Sequence, residues 1–198
     1  MGVEILAKPK SNQKEEQIFQ AALKLFSENG FSKTTIKEIA QEADVSFGTV
    51  FTYFDTKESL FYACVARPVE EVKERFLLPR EFLEELTVDS LTKMVAEHLH
   101  YFWEQESYIR LIQYVIGQPQ RFSEMKLLDE FAEEFILFIE EVVLAGMKKG
   151  FLPESNPTEV GYGYLAFLNG ARLTYTDKAN VRLTNALEKQ ALRLFGIN

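Results

Sequence analysis

Of the 198 residues only one, Cys64, is a cysteine. A single thiol excludes an intramolecular disulfide framework and any thiolate metal cluster, and on an apolar helical pattern it reads as a small core residue. Long apolar runs are missing too. No stretch approaches the length needed to span a bilayer, and the opening MGVEILAKPK lacks both the apolar core and the cleavage site of a signal peptide. The expected location is the cytoplasm, with no membrane partner. No internal repeat or low-complexity tract is visible, and no sustained apolar/polar alternation marks a strand. What remains, 46% hydrophobic and 26% charged residues, is the composition of a soluble globular protein long enough for two unequal domains.

Positive charge is also in short supply. With 22 Lys and Arg against 30 Asp and Glu, the net charge of -8 argues against a general polyanion binder, which would hold nucleic acid through a broad cationic excess. The deficit is uneven: residues 1–64 hold seven basic and nine acidic side chains, residues 65–198 fifteen and twenty-one. Lys8, Lys10, Lys14, Lys33, Lys37 and Lys57 form a small local supply, so any DNA binding should depend only shallowly on salt.

Apolar residues recur at helical spacing along most of the chain. Ile18, Ala21, Ala22, Leu25 and Phe26 make the stripe of a first helix over about residues 13–28, which Asn29 and Gly30 end. A longer helix from about Thr56 carries Leu60, Phe61 and Val65. Pro68 inside it should kink or break it, and Pro79 closes the segment. Further helices are expected at about 81–86, 88–105, 107–117, 123–149, 157–177 and 179–195. The clearest breaks are Gly117-Gln118-Pro119 and GFLPESNP, from Gly150 to Pro157.

Residues 34–61, TTIKEIAQEADVSFGTVFTYFDTKESLF, carry the most information. Thr35 stands three residues before Glu38, a capping box, and Ile36, Ile39, Ala40 and Ala43 then share one helical face. Asp44 can end this helix because a short polar side chain tolerates the left-handed backbone conformation. Val45 can drop into the core and Ser46 can cap a second helix, with Val50 and Phe54 inward and Phe47, Thr49, Thr52 and Tyr53 more outward. The pattern is a helix-turn-helix with an exposed second helix.

This stretch resembles the TetR family of bacterial transcriptional regulators. The upstream run IFQAALKLFSENGFSKTTIKEIA and the following VSFGTVFTYFDTKESLF both match the family pattern, over roughly residues 14–62. The resemblance implies an all-α fold, with an N-terminal three-helix DNA-binding domain over residues 1–56 and a C-terminal effector-binding and dimerisation bundle over 57–198. It implies a homodimeric repressor that leaves a palindromic double-stranded DNA operator when a small, largely apolar effector binds. No enzyme activity, cofactor or metal is expected.

The expected DNA contacts are Thr35, Lys37, Ser46, Phe47, Gly48, Thr49, Thr52, Tyr53 and Lys57. Lys37, Phe47 and Thr49 would face base edges, Tyr53 and Lys57 phosphates, and Gly48 would permit close backbone approach. Thr49 has a structural alternative as a capping or packing residue. Two positions depart from the family pattern: Asp44 stands where Gly is usual, and Phe51 where Tyr is usual, which removes a hydroxyl that commonly reaches a phosphate.

Outside this stretch no catalytic constellation stands out. Among Glu97, His98 and His100, residues two apart on a helix point away from each other, so a solvated or singly hydrogen-bonded histidine is the simpler reading. No phosphate-binding glycine loop or nucleophile elbow is present. Residues 65–198 do hold ten Phe, six Tyr and one Trp. Met94, His98, Tyr101, Phe102, Tyr114, Phe131, Phe135, Phe138 and Phe167 are the candidate lining of an effector pocket, with packed core as the alternative. Of these, His98 is the one whose charge can change near neutral pH. Gly163, Ala166 and Gly170 keep one helix thin, and Leu183, Leu187 and Leu194 stripe the next. The family resemblance reads these as an isologous dimer surface; cover within one monomer is the alternative. The rival functions are a helical ligand-binding or interaction module without DNA binding, and a helical enzyme acting through His98 or Glu97.

Overall fold

The computed structural model describes residues 10–118, 122, 125–174 and 181–197. Lys8, Pro119 and the expected helix ends at 123–124, 175–177 and 179–180 lie outside the described residues. Every regular element among those described is a helix: α1 (Lys10–Lys33), α2 (Ile36–Glu42), α3 (Phe47–Tyr53), α4 (Lys57–Phe76), α5 (Arg80–Glu84), α6 (Val88–Glu104), α7 (Glu106–Ile116), α8 (Met125–Lys149), α9 (Pro157–Thr174) and α10 (Val181–Leu194). The chain divides into two units, one of Met1–Pro68 with Ser107–Met125 and one of Val69–Glu106 with Lys126–Asn198.

In the first unit, Ile18, Ala22 and Phe26 are sealed from solvent along the inner stripe of α1. Gly30 interrupts the helix at φ +75°, a region open to glycine at little cost, and the Thr34 hydroxyl donates to the Gly30 and Leu25 carbonyls at 2.9 and 3.1 Å. The turn created there is filled by aromatic rings. Phe61 meets Phe26 and Phe31 edge-on at 5.1 and 5.0 Å, and Phe122 lies 5.0 Å from Phe61. From α7, the Phe31 backbone N–H donates to the Tyr114 hydroxyl at 3.2 Å and the Tyr108 hydroxyl donates to the Val65 carbonyl at 3.3 Å.

The first unit therefore does not end at residue 56. Leu60, Phe61, Cys64 and Val65 on α4 are at most 1% exposed and belong to its core, and α7 joins it from far along the chain. Nor does α4 break at Pro68: the helix runs through that residue, with buried Val65 and Val69 on either side, although proline withholds one backbone donor.

In the second unit, α6 starts at Thr87, whose hydroxyl accepts the Ser90 N–H at 3.2 Å while the Thr87 N–H donates to the Ser90 hydroxyl at 2.9 Å. Helix α10 packs on α6 and α9, and α6 on α9. Leu91, Val95, Leu99, Ile139, Val142, Tyr164, Leu168 and Ala191 form the buried interior. Gly161 allows α9 close to α8, since a Cβ there would come within 3.1 Å of the Ile136 side chain and 3.2 Å of its carbonyl oxygen.

Gly30→Ala tests the α1 turn. Its Cβ would meet the Tyr114 ring at 2.8 Å in a backbone conformation that L-residues rarely adopt, so a loss of roughly 2 kcal/mol in urea unfolding is expected. An unchanged midpoint would contradict this account of the turn.

Candidate nucleic-acid interface and helical bundle

Helix α2 begins with the capping box read from the sequence. The Thr35 hydroxyl accepts the Glu38 N–H at 3.2 Å, and the Thr35 backbone N–H and hydroxyl both donate to the Glu38 carboxylate at 2.8 Å. These bonds, ahead of the nearby Lys57 charge, hold the Glu38 carboxyl below its ordinary range. At the far end Asp44 takes φ +53°, and the Val45 N–H reaches back to the Ala40 carbonyl at 3.0 Å. Ser46 then caps α3, accepting the Thr49 N–H at 3.1 Å.

This geometry sorts the side chains of α3. Val50 is fully buried and Phe54 nearly so, whereas Phe47 is 55% and Phe51 40% exposed. Their rings meet edge to face at 5.2 Å. Gly48 and Thr52 are exposed, Thr49 and Tyr53 half-buried. The Ser46 and Thr49 hydroxyls lie 2.7 Å apart and the Thr52 hydroxyl donates to the Gly48 carbonyl at 3.4 Å, so each already has a local partner. Nothing lies within 4 Å of where a Gly48 Cβ would be, which leaves the backbone approachable there. Thr35 and Lys37 are exposed on the first turn of the motif. Lys57, at the start of α4, is half-buried with its ammonium 4.3 Å from the Phe31 ring centroid. The expected contact residues thus share one unit, and Phe51 joins Phe47 as an exposed ring that the sequence reading noted only for its missing hydroxyl.

A three-helix head whose capped second motif helix faces outward defines a helix-turn-helix protein. Residues 18–64 match the family model for bacterial regulatory proteins of the tetR family. The transcriptional regulator HbdR of Aromatoleum sp. (strain CIB) is 33% identical over 91 residues, 46% of this chain and 36% of that protein. IcaR, the negative transcriptional regulator of the biofilm operon icaADBC of Staphylococcus aureus (strain Newman), is 25% identical over 109 residues, 55% of this chain and 57% of that one. The chain thus spans less than two thirds of the length of these relatives. Among solved structures, Salmonella enterica GusR superposes with a TM-score of 0.70 at 22% identity, covering 96% of this chain and 98% of its own, a likeness of fold. Through residues 18–64 the chain is similar to the TetR family of bacterial regulatory proteins.

In the second unit, His98 sits at the centre of an aromatic cluster. Its ring stacks on Phe76 at 4.1 Å and lies 5.6 Å from Phe135, and its Nδ1 is 3.1 Å from the Tyr164 hydroxyl. Tyr101 meets Phe76 edge-on at 5.3 Å, Phe102 lies 6.2 Å from Phe76, and Phe131 lies 6.0 Å from Phe135. Phe138 is buried and Phe167 half-buried in the same unit, whereas Tyr114 belongs to the first unit. Phe76, which organises the cluster, stood out from no sequence pattern. Beside it opens a cleft of about 410 Å³, lined by Phe76, Leu78, Phe82, Met94 and His98 with Glu74, Arg75, Lys93 and Glu97 among its polar residues. Such a volume suits a small organic molecule.

The expectation that His98 titrates near neutral pH is overturned. Burial, with no compensating charge, pushes its pKa down to about 3, so the ring is neutral. Burial raises the Tyr164 pKa as well, so its O–H stays protonated and can donate to Nδ1. The imidazole proton then falls on Nε2, which has no hydrogen-bond partner among the described residues; Tyr101 Oη and Trp103 Nε1 are in the same position.

Along α9, Tyr162 is 61% exposed, Ala166 is exposed, and open space surrounds the Cβ positions of Gly163 and Gly170. On α10, Leu194 is 38% exposed and Leu183 half-buried, while Leu187 is buried in the unit's own interior with Ala191 and Phe195.

The His98 environment sets an acid limit on stability. Its folded pKa of about 3 lies below the ordinary 6.5, so between those values the unfolded chain binds more protons and stability falls as pH drops. Between pH 7 and 4.5 the parent should lose roughly 2–3 kcal/mol more than His98→Gln in urea unfolding. Parallel pH profiles for the two proteins would contradict this assignment.

Proposed function

We propose that the chain is a ligand-responsive transcriptional regulator: a cytoplasmic homodimer that represses from a palindromic DNA operator and is released by a small, largely apolar effector. The observation that carries this reading is the outward presentation of α3, with Ser46 capping it and Val50 and Phe54 anchoring it, in the segment that matches the family model. Lys37, Phe47 and Thr49 are assigned to base edges, Tyr53 and Lys57 to phosphates, and Thr35, Ser46, Gly48 and Thr52 to the surrounding contact surface. The cleft beside Phe76, Met94 and His98 is the proposed effector site. Apolar burial would supply most of its affinity, and a neutral hydrogen-bonding end would be oriented by His98. Helix α4 contributes residues to both units, so a shift in it would couple effector occupancy to the spacing of the two recognition helices.

Two variants separate the parts of this proposal. Lys57→Ala should weaken binding to every DNA sequence alike and lower the slope of log affinity against log salt by about one; an unchanged slope removes Lys57 from the phosphate contacts. Gly170→Leu should shift the protein toward monomer in sedimentation at micromolar concentration while the head keeps its helical signal. A parent protein that is already monomeric refutes the dimer.

A further inference from the structure

The exposed face of α3 carries no charge, and its largest exposed side chains are the rings of Phe47 and Phe51. Its seven residues, FGTVFTY, include no Arg, Lys, Asn, Gln, Asp or Glu, so it lacks the side chains that read guanine or adenine by paired hydrogen bonds, and the acids that accept from cytosine. Its hydroxyls are partly committed as well: Ser46 and Thr49 face each other, and Thr52 turns back to the Gly48 carbonyl. What α3 offers a groove is the edge-to-face pair of Phe47 and Phe51, 55% and 40% exposed, with centroids 5.2 Å apart. That distance is longer than one base step of about 3.4 Å and shorter than two.

Among the features that base edges present in the major groove, the thymine C5 methyl is the apolar one. We infer that the Phe47–Phe51 pair reads thymine methyls at adjacent steps, so that operator half-sites are defined by A·T pairs under α3. Hydrogen-bond readout of guanine then falls to Lys37 on α2 and to whichever of the Ser46 and Thr49 hydroxyls does not donate to the other. The inference rests on the DNA-binding reading above and goes beyond it by naming the chemical group that is read.

The test starts with the full chain, selecting duplexes from a random pool at low salt. The selected site is then resynthesised with deoxyuridine in place of each thymine, which removes the methyl and leaves the hydrogen-bond pattern unchanged. The parent should lose about fourfold in affinity for each contacted methyl, the worth of about one buried methylene. In Phe47→Ala, an exposed position whose truncation leaves the core intact, the discrimination should vanish at the step under Phe47 and persist at the step under Phe51. Phe51→Tyr should retain the discrimination.

Equal parental affinity for thymine and uracil sites, or a guanine-rich consensus under α3, overturns the thymine reading and leaves the DNA-binding reading standing. Failure to retain any duplex overturns both. Should Phe47→Ala abolish self-association of the free protein while keeping the discrimination at both steps, the rings serve a protein contact and the inference is wrong.

Discussion

The head depends on one residue in an unfavourable backbone region. Asp44, at φ +53°, is the only non-glycine residue with positive φ among those described, and the reversal between α2 and α3 passes through it. A left-handed L-residue costs about 1–2 kcal/mol, and Asp is among the residues that bear it best. The cost is offset by what the turn allows: the Ala40 carbonyl is satisfied by the Val45 N–H, Ser46 is brought to the cap position, and Ile39, Ala43, Val50 and Phe54 are buried together in the same unit. A turn of different hand would rotate α3 about its axis. With a helical period of 3.6 residues, even a quarter turn in either sense would carry Val50 out of the core toward water.

How much of this was legible in the sequence follows from the range of the interactions. Caps, turns and helical faces are set within four or five residues, so the Thr35–Glu38 box, the Asp44 turn, the Ser46 cap and the burial of Val50 could all be read from spacing. Helix existence was readable for the same reason, and bounds moved by only a few residues. The assignment of α7 was not, because it rests on Tyr114 meeting Phe31 and Tyr108 meeting Val65, contacts 83 and 43 residues apart. Its apolar stripe says that it packs but not against what. Proline at 68 shows the opposite limit: local chemistry predicts a kink or a break, and the helix continues through it with buried Val65 and Val69 on either side.

The bundle shows the same limit in its electrostatics. His98 on a mixed helical face suggests a group poised near neutral pH, since composition carries no information about desolvation. Only the ring of aromatic neighbours, with Phe76 recruited from α4 and Tyr164 from α9, keeps the imidazole neutral well into the acid range. On the proposed reading the effector site therefore recognises shape and a neutral hydrogen-bonding group, and its occupancy is insensitive to His98 protonation across the physiological range.

The charge balance of the chain then bears on how such a switch would work. A net charge of -8 and an uncharged α3 leave little long-range attraction to the phosphate backbone, the term that holds many DNA-binding proteins to any sequence. Binding carried largely by short-range apolar contacts is steeply sensitive to position, because a methyl displaced by an ångström or so loses much of its dispersion contact. A Lys–phosphate attraction decays far more slowly with distance. A head of this kind would need only a small change in the spacing of its two recognition helices to lose its site, and little residual affinity would keep the released protein on DNA. The effector would then have to favour the wrongly spaced form by no more than the specific contacts are worth.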